Sequence, residues 1–375
     1  MHRNIVCTEQ HCGDLDWKMN KIRIDQFSAG FNPGDAISNE MLYLKNFFES
    51  KGIKGEIYSE NIGTNARSSA GARKYKSWKE DRATAVIYHH SIHSGVSDFI
   101  LNMDSSIPKF MIYHNVTPHS FFEPYDYRLA GYLKRGRQEL HQFRDIFRKS
   151  FAVSEFNRKD LTEAGFKNSE VFPFALNFYN YKKLGKNTDS KKKILFVGRI
   201  APNKKQTDLL KAAHIFRKYT DIPFEFRLVG FTSRESILYR HELDWLISSY
   251  SLSENVRILE FASQEDLFRE YSEADAFLCL SEHEGFCVPL LEAIYYDIPV
   301  AAFDAGAISE TLGKSGILFK EKNYLLISSI LEKLLTDSGF REGILRSQRQ
   351  RLEEYKVSSN PEILMQKLLD SWDII

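Results

Sequence analysis

The chain has 375 residues, 43% of them hydrophobic, with 51 Lys and Arg against 50 Asp and Glu for a net charge of +1. That length favours two or three domains around sizeable cores, and the balanced charge argues against a nucleic-acid reader. No apolar run approaches the roughly 20 residues that span a bilayer, and "MHRNIVCTEQHCGD" lacks a signal-peptide apolar region, so a cytoplasmic protein is expected.

Residues 1–20 read as an N-terminal extension. They hold Cys7, His11 and Cys12, which have no second ligand pair at zinc spacing, and "DLD" at 14–16, an Asp-x-Asp that precedes any strand and is taken as coincidental. From 21 to 180, β-rich runs ("KIRIDQF", "GEIYSE", "ATAVIYHH", "PKFMIYHN", "SFAVS", "SEVFPFA") alternate with helical patterns. The first helix, "AISNEMLYLKNFFESKG", puts Ile37, Met41, Leu44 and Phe48 on one stripe and ends at Gly52. Strand one joins it through "FSAGFNPGD", where Gly30 and Gly34 allow close approach to a ligand and Asp35 is a candidate N-cap. This loop lacks the glycine spacing of a dinucleotide fingerprint, which disfavours a nicotinamide-dependent dehydrogenase.

"YLKRGRQELHQFRDIFRK" patterns as an amphipathic helix with Lys134, Arg137, His141, Arg144 and Arg148 on one face and Leu133, Leu140, Phe143 and Phe147 on another. Such a face is usually only solvated; the sharper reading is contact with anionic lipid. The polar stretch 181–193 reads as a linker. A second βα series fills 194–355 ("ILFVGR", "FEFRLVG", "VRILEF", "AFLCLS", "IPVAAF", "GILF"), and 356–375 is a C-terminal helix expected to fold back on the first half. The fold class is therefore α/β: two doubly wound parallel-sheet domains facing a cleft at their strand C-terminal ends.

The chemistry concentrates in "SEHEGFCVPLLEA". Glu284 precedes a helix begun around Pro289, Glu292 lies near its first turn, and Gly285 lets a ligand approach the amides of Phe286, Cys287 and Val288. An acidic helix start alone would be unremarkable. "VGRIAPNKK" adds Arg199 and Lys204 at a strand–helix turn of the same half, two cations suited to a diphosphate, with Lys205 beside them.

Together with "IPVAAFDAGAISETLGKSGILF", "GDAISNEM", "YHNVTP" and "SEFNRKDLTEAGF", these motifs resemble the family 4 glycosyltransferases, retaining enzymes of the GT-B fold, over most of residues 21–320. The resemblance implies that Glu292 binds the nucleotide ribose, that Glu284 and the 286–287 amides bind the donor sugar, and that Arg199 and Lys204 hold the diphosphate. Gly34 would lie on the donor, and His114 beside the reacting centre. Two positions depart from the family pattern, Cys287 and Lys205, where glycine is frequent. His89, His90 and His93 are candidate acceptor-side residues. The expectation is a metal-independent hexosyltransferase without cofactor. It would take a nucleoside diphosphate sugar as donor and a glycan, free or lipid-linked, as acceptor, in the cytoplasm or at the inner membrane face. The rival readings are a non-catalytic nucleotide-sugar binding protein and a phosphorylase- or synthase-like enzyme; a phosphorylase would require a pyridoxal-binding lysine context that the sequence lacks.

Overall fold

The computed structural model describes residues 22–32, 34–63, 71–81, 83–186, 191–260 and 263–372, so Cys7, His11, Cys12 and the 14–16 motif lie outside it. The first half runs β1 (Arg23–Phe31), α1 (Ala36–Ser50), β2 (Ile57–Ile62), β3 (Arg73–Lys74), β4 (Thr84–His90), α2 (Gly95–Leu101), β5 (Lys109–Tyr113), α3 (Tyr127–Phe143), β6 (Lys149–Ala152), α4 (Glu155–Glu163) and β7 (Ser169–Val171). Its strands form one parallel sheet in the order β3-β2-β1-β4-β5-β6-β7. Every residue of β4 and β5 is buried, which is why "TAVIYHH" and "KFMIY" read as continuous runs and not as alternating ones.

The second half contributes β8 (Lys192–Val197), α5 (Gln206–Tyr219), β9 (Phe224–Val229), α6 (Ile237–Ser249), β10 (Val256–Leu259), α7 (Gln264–Glu273), β11 (Ala276–Cys279), α8 (Val288–Tyr295), β12 (Val300–Phe303), α9 (Ile308–Leu312) and β13 (Ile317–Phe319). Its parallel sheet is ordered β10-β9-β8-β11-β12-β13. Strand order reverses between β1 and β4 in one sheet and between β8 and β11 in the other. Ligands of open parallel sheets bind at such switch points, beyond the strand C-terminal ends. Helices α10 (Tyr324–Thr336), α11 (Ser338–Ser358) and α12 (Pro361–Asp370) close the chain. The last returns to the first half, where Glu362 pairs with Lys51 at 2.9 Å and Lys367 bonds Glu170.

Two local features differ from the sequence reading. Gly30 belongs to β1 and not to a loop, because parallel pairing with β2 continues through Gly30–Asn61 and Phe31–Ile62. The basic helix α3 starts at Tyr127, capped by Asp126, and stops at Phe143, so Phe147 and Arg148 lie beyond it. Its Arg137 turns inward to Asp160 (2.8 Å) and the Val116 carbonyl (2.9 Å), leaving the basic face without its central charge.

Candidate active site

At the end of β8 the chain turns through Arg199 and the 3-10 segment Pro202–Lys204 into α5, with Lys205 in the left-handed region (φ 51°). Gln206 ties this turn down by donating to the Arg199 carbonyl. The Lys204 ammonium lies 2.6 Å from Glu284 Oε2, so the expected diphosphate lysine and sugar carboxylate are partners of one another. Lys205 instead reaches Glu282 at 3.2 Å. Arg199 is exposed. Partial loss of water raises the Asp35 carboxyl pKa, and hydrogen bonds from Ser38 with the charge of Arg199 oppose that rise. Asp35, at the start of α1, adjoins Gly34 (φ 102°), whose amide donates to Asn39.

Beyond β11, Glu284 is almost fully buried and its carbonyl accepts the Ala307 amide. Gly306 makes this fold possible: a Cβ there would lie 2.4 Å from the Glu284 carbonyl oxygen. Helix α8 follows with Cys287 as its cap at φ 70° and Pro289 as its second residue, where a missing N–H goes unnoticed. Among the described residues no acceptor meets the amides of Phe286, Cys287 or Val288, which leaves the helix start open to an anion. Both positions that depart from the family pattern, Lys205 and Cys287, are left-handed. The backbone there is the one glycine adopts freely and other residues adopt at a cost of roughly 1–2 kcal/mol. The Cys287 thiol is pushed up by its hydrogen bond with Cys279 and by burial.

Glu292 is buried, and its oxygens accept the hydroxyls of Tyr181 (2.7 Å) and Tyr271 (2.5 Å). Burial raises its pKa, against the two tyrosine hydrogen bonds. A carboxylate has about four lone-pair sites, so two remain for further donors. Neither tyrosine was singled out in the sequence. Tyr181, an aromatic opening an otherwise polar linker, was the available signal; Tyr271 reads as an ordinary apolar helix position.

On the first-half side His114 follows β5. Its Nε2 lies 2.9 Å from His89 Nδ1 and 3.6 Å from Glu40 Oε2, while His89 Nε2 meets Gln26 Oε1 at 2.9 Å. Glu40 is wholly buried and accepts the Ala175 amide; burial pushes its carboxyl up to about 8 despite that bond. The stripe reading of α1 passed over Glu40 because it is charged yet lies on the buried face. Of the other histidines, His90 is enclosed in the core on the Gly136 carbonyl and Tyr88, and His93 bonds Glu139 beside α3. Both ring nitrogens of His90 are thus engaged within the chain. Two groups among the described residues bring metal-ligating atoms together, Glu40 with His89 and His114, and Glu284 with Cys279 and Cys287.

The halves meet at this site. A Cβ on Gly285 would lie 2.7 Å from the His114 carbonyl and from Asn115 Cβ, so only glycine allows the loop before α8 to seat on the His114 strand end. His283 bonds Asn115 Oδ1 (2.7 Å), Ser154 donates to the Gly285 carbonyl (2.9 Å), and the Glu310 carboxylate accepts the Glu155 and Phe156 amides at the start of α4 (both 2.6 Å). Asn115 reaches this position with φ 76°. A cavity of about 200 Å³ lined by Ser120, Phe121, Tyr125, Lys205 and Tyr239 opens between the halves beside these contacts.

Comparison with known proteins decides the architecture. Over 93% of the chain the structure superposes on 99% of a sucrose-phosphate synthase from Thermosynechococcus elongatus, with a TM-score of 0.75 at 14% identity. For WaaG, a glycosyltransferase involved in lipopolysaccharide biosynthesis, the TM-score is 0.71 at 13% identity, with 92% of this chain and 99% of WaaG covered. The chain has the GT-B fold. Within it, residues 180–356 match the family model "Glycosyl transferases group 1". The O-antigen chain mannosyltransferase B of Escherichia coli is 27% identical over 149 residues, 40% of this chain and 38% of that protein. The capsular polysaccharide biosynthesis glycosyltransferase CapM of Staphylococcus aureus is 26% identical over 160 residues, 42% of this chain and 40% of CapM. The chain thus covers about two fifths of the length of these curated relatives, and the matched part of the GT-B chain includes Arg199, Lys204, Glu284 and Glu292.

Proposed function

We propose that this chain is a retaining glycosyltransferase that moves a hexose from a nucleoside diphosphate sugar to a glycan hydroxyl during assembly of a bacterial surface polysaccharide. The observation that carries the reading is the convergence of Arg199, the Lys204–Glu284 pair and the open amides of α8 on one cleft wall, with His114 packed against Gly285 opposite. In this reading the cations and amides stabilise the diphosphate as it leaves, the main electrostatic task of the reaction. Lys204 can share its ammonium between Glu284 and a phosphate oxygen, so no metal is needed for that charge. Glu292 takes the ribose through its two remaining lone-pair sites. A covalent route would need a free carboxylate at the anomeric carbon. Glu284 is engaged by Lys204, which favours attack from the face the diphosphate leaves.

Relatives and neighbours support donor and acceptor only by their names. One structural neighbour, Anabaena Alr3699/HepE, holds UDP and glucose, with a TM-score of 0.67 at 14% identity. A Campylobacter jejuni relative, 23% identical over 169 residues, is named for transfer onto a PP-undecaprenol-linked glycan. No helix among the described residues is long and apolar enough to cross a membrane. A lipid-linked acceptor would be met peripherally, with Lys134, His141, Arg144 and Arg148 exposed on and just beyond α3.

Thermal stabilisation by UDP, GDP, dTDP and ADP, with and without magnesium, tests the reading, because a ligand that binds the folded state raises Tm. One nucleotide should stabilise without metal. No shift with any of them would sink the proposal. The narrower alternative, a nucleotide-sugar binder without turnover, is separated by Arg199→Ala, which should cost an enzyme more in kcat than in nucleotide affinity.

A further inference from the structure

We propose that Gln26 and His89 are positioning residues that hold His114 in its Nε2–H tautomer, so that His114 Nδ1 meets the ligand as a hydrogen-bond acceptor for a hydroxyl. That a ligand meets Nδ1, and that its hydroxyl is one on a sugar, rests on the function proposed above; the tautomer follows from the donor and acceptor chemistry of the chain itself.

The relay starts at a group whose role is fixed. The Met41 carbonyl can only accept, and it lies 2.9 Å from the Gln26 side-chain nitrogen, which sets the amide orientation. Gln26 Oε1, an acceptor, then faces His89 Nε2 at 2.9 Å, so this nitrogen carries the proton. A neutral imidazole has one N–H, which makes His89 Nδ1 the lone pair. His114 Nε2 lies 2.9 Å from that lone pair and must therefore be protonated. What remains is His114 Nδ1, an acceptor that is buried and has no partner among the described residues.

The neutral forms that this logic requires agree with the surroundings. His89 has no exposed surface, and burial lowers its pKa to about 3; burial, then the neighbouring His89 and His90, lowers His114 well below the ordinary range. A buried lone pair left unmet is costly, so the site favours a ligand that brings a donor. A phosphate oxygen at neutral pH has none to offer, whereas a sugar hydroxyl has. His114 accordingly cannot protonate the departing phosphate; it selects a hydroxyl at one position, and a sugar lacking that hydroxyl should be rejected. Glu40 Oε2, 3.6 Å from His114 Nε2 and 3.9 Å from His89 Nδ1, is too distant to compete for the proton. Its place suggests the one arrangement that would break the relay, a metal ion shared by these three atoms.

Long-range proton–nitrogen correlation on the full chain, labelled with ¹⁵N-histidine and purified without metal affinity, reads both tautomers directly; elemental analysis of the same sample reads bound metal. The expected result is protonated Nε2 on His89 and His114, with metal far below one per chain. A His114 protonated at Nδ1, or stoichiometric metal, would overturn the proposal. In Gln26→Met, His89 loses its acceptor and the relay should reverse, placing the His114 proton on Nδ1; an unchanged tautomer would remove Gln26 from the role. With whichever nucleotide sugar is turned over, Gln26→Met should lower kcat/KM about tenfold, the worth of one hydrogen bond, while GDP or UDP affinity stays within about twofold. Gln26→Glu keeps an acceptor and should restore the tautomer. If Gln26→Met does not fold, the wild-type spectrum and Gln26→Glu still decide. Absence of nucleotide binding would defeat the proposed function and leave the tautomer result standing.

Discussion

Glu292 is held by two neighbours. Its carboxylate receives two tyrosine hydroxyls within the protein, and Glu292→Gln would replace one accepting oxygen with a donor that faces a donor. Leaving a buried hydroxyl unmatched costs about 1–3 kcal/mol; we expect a lower Tm together with nucleotide affinity reduced at least tenfold, both measurable by thermal shift and calorimetry. Glu40 offers a test by pH. Its carboxyl titrates near 8 in the folded chain against an ordinary 4.5, so the folded state binds the proton more tightly and stability falls as pH rises from about 4.5 through 8. In Glu40→Gln that contribution disappears while the Ala175 amide keeps an acceptor. Tm measured at pH 6 and at pH 8.5 should therefore differ less in the variant than in the wild type; an equal difference would contradict the assignment.

At the scale of elements, the junction between α9 and α4 carries the closed arrangement of the halves. Glu310, on α9, places a carboxylate on the first two amides of α4, at the positive end of that helix dipole. The contact is solvent-exposed, so Glu310→Ala should cost only about 1 kcal/mol in denaturant unfolding. Its larger effect should be on the relative placement of the halves, seen as an increased radius of gyration in solution scattering. The loop before α8 is a second such element. It needs glycine at 285 for approach to His114 and at 306 for its own turn, and it accepts Cys287 in a left-handed conformation. The alternation of strands and helices was readable from hydrophobic runs and their punctuation. The inward turn of Arg137 was not, because its periodic position is shared with solvated basic residues.

At the scale of the whole molecule, α12 crosses back to the first half and buries Leu364, Met365, Leu368, Leu369 and, just past its end, Trp372. Each such side chain contributes roughly 1.5–3 kcal/mol when fully buried, as much together as the net stability of many domains. A chain ended after Ser359 should lose most of its soluble yield and its cooperative thermal transition; a truncated protein with unchanged Tm would show that α12 is dispensable.

Sequence alone determined the two βα series, because strand periodicity and helix starts are local properties, and it singled out Arg199, Lys204, Glu284 and Glu292 as candidates, of which the structure pairs Lys204 with Glu284. It also marked Lys205 and Cys287 as unusual, and left-handed backbone is the physical cause. Partner choice was decided only by the tertiary structure. Lys204 closes on Glu284 across 80 positions, Tyr181 on Glu292 across 111, and His283 on Asn115 across 168. The first two pairings depend on how the connecting segments and loops of the second half pack around its sheet and the third on how the two halves meet, and no periodicity within a segment records either. The same holds for the Gln26–His89–His114 relay, whose members lie on three adjacent strands or their ends and whose proton positions exist only once those strands are paired.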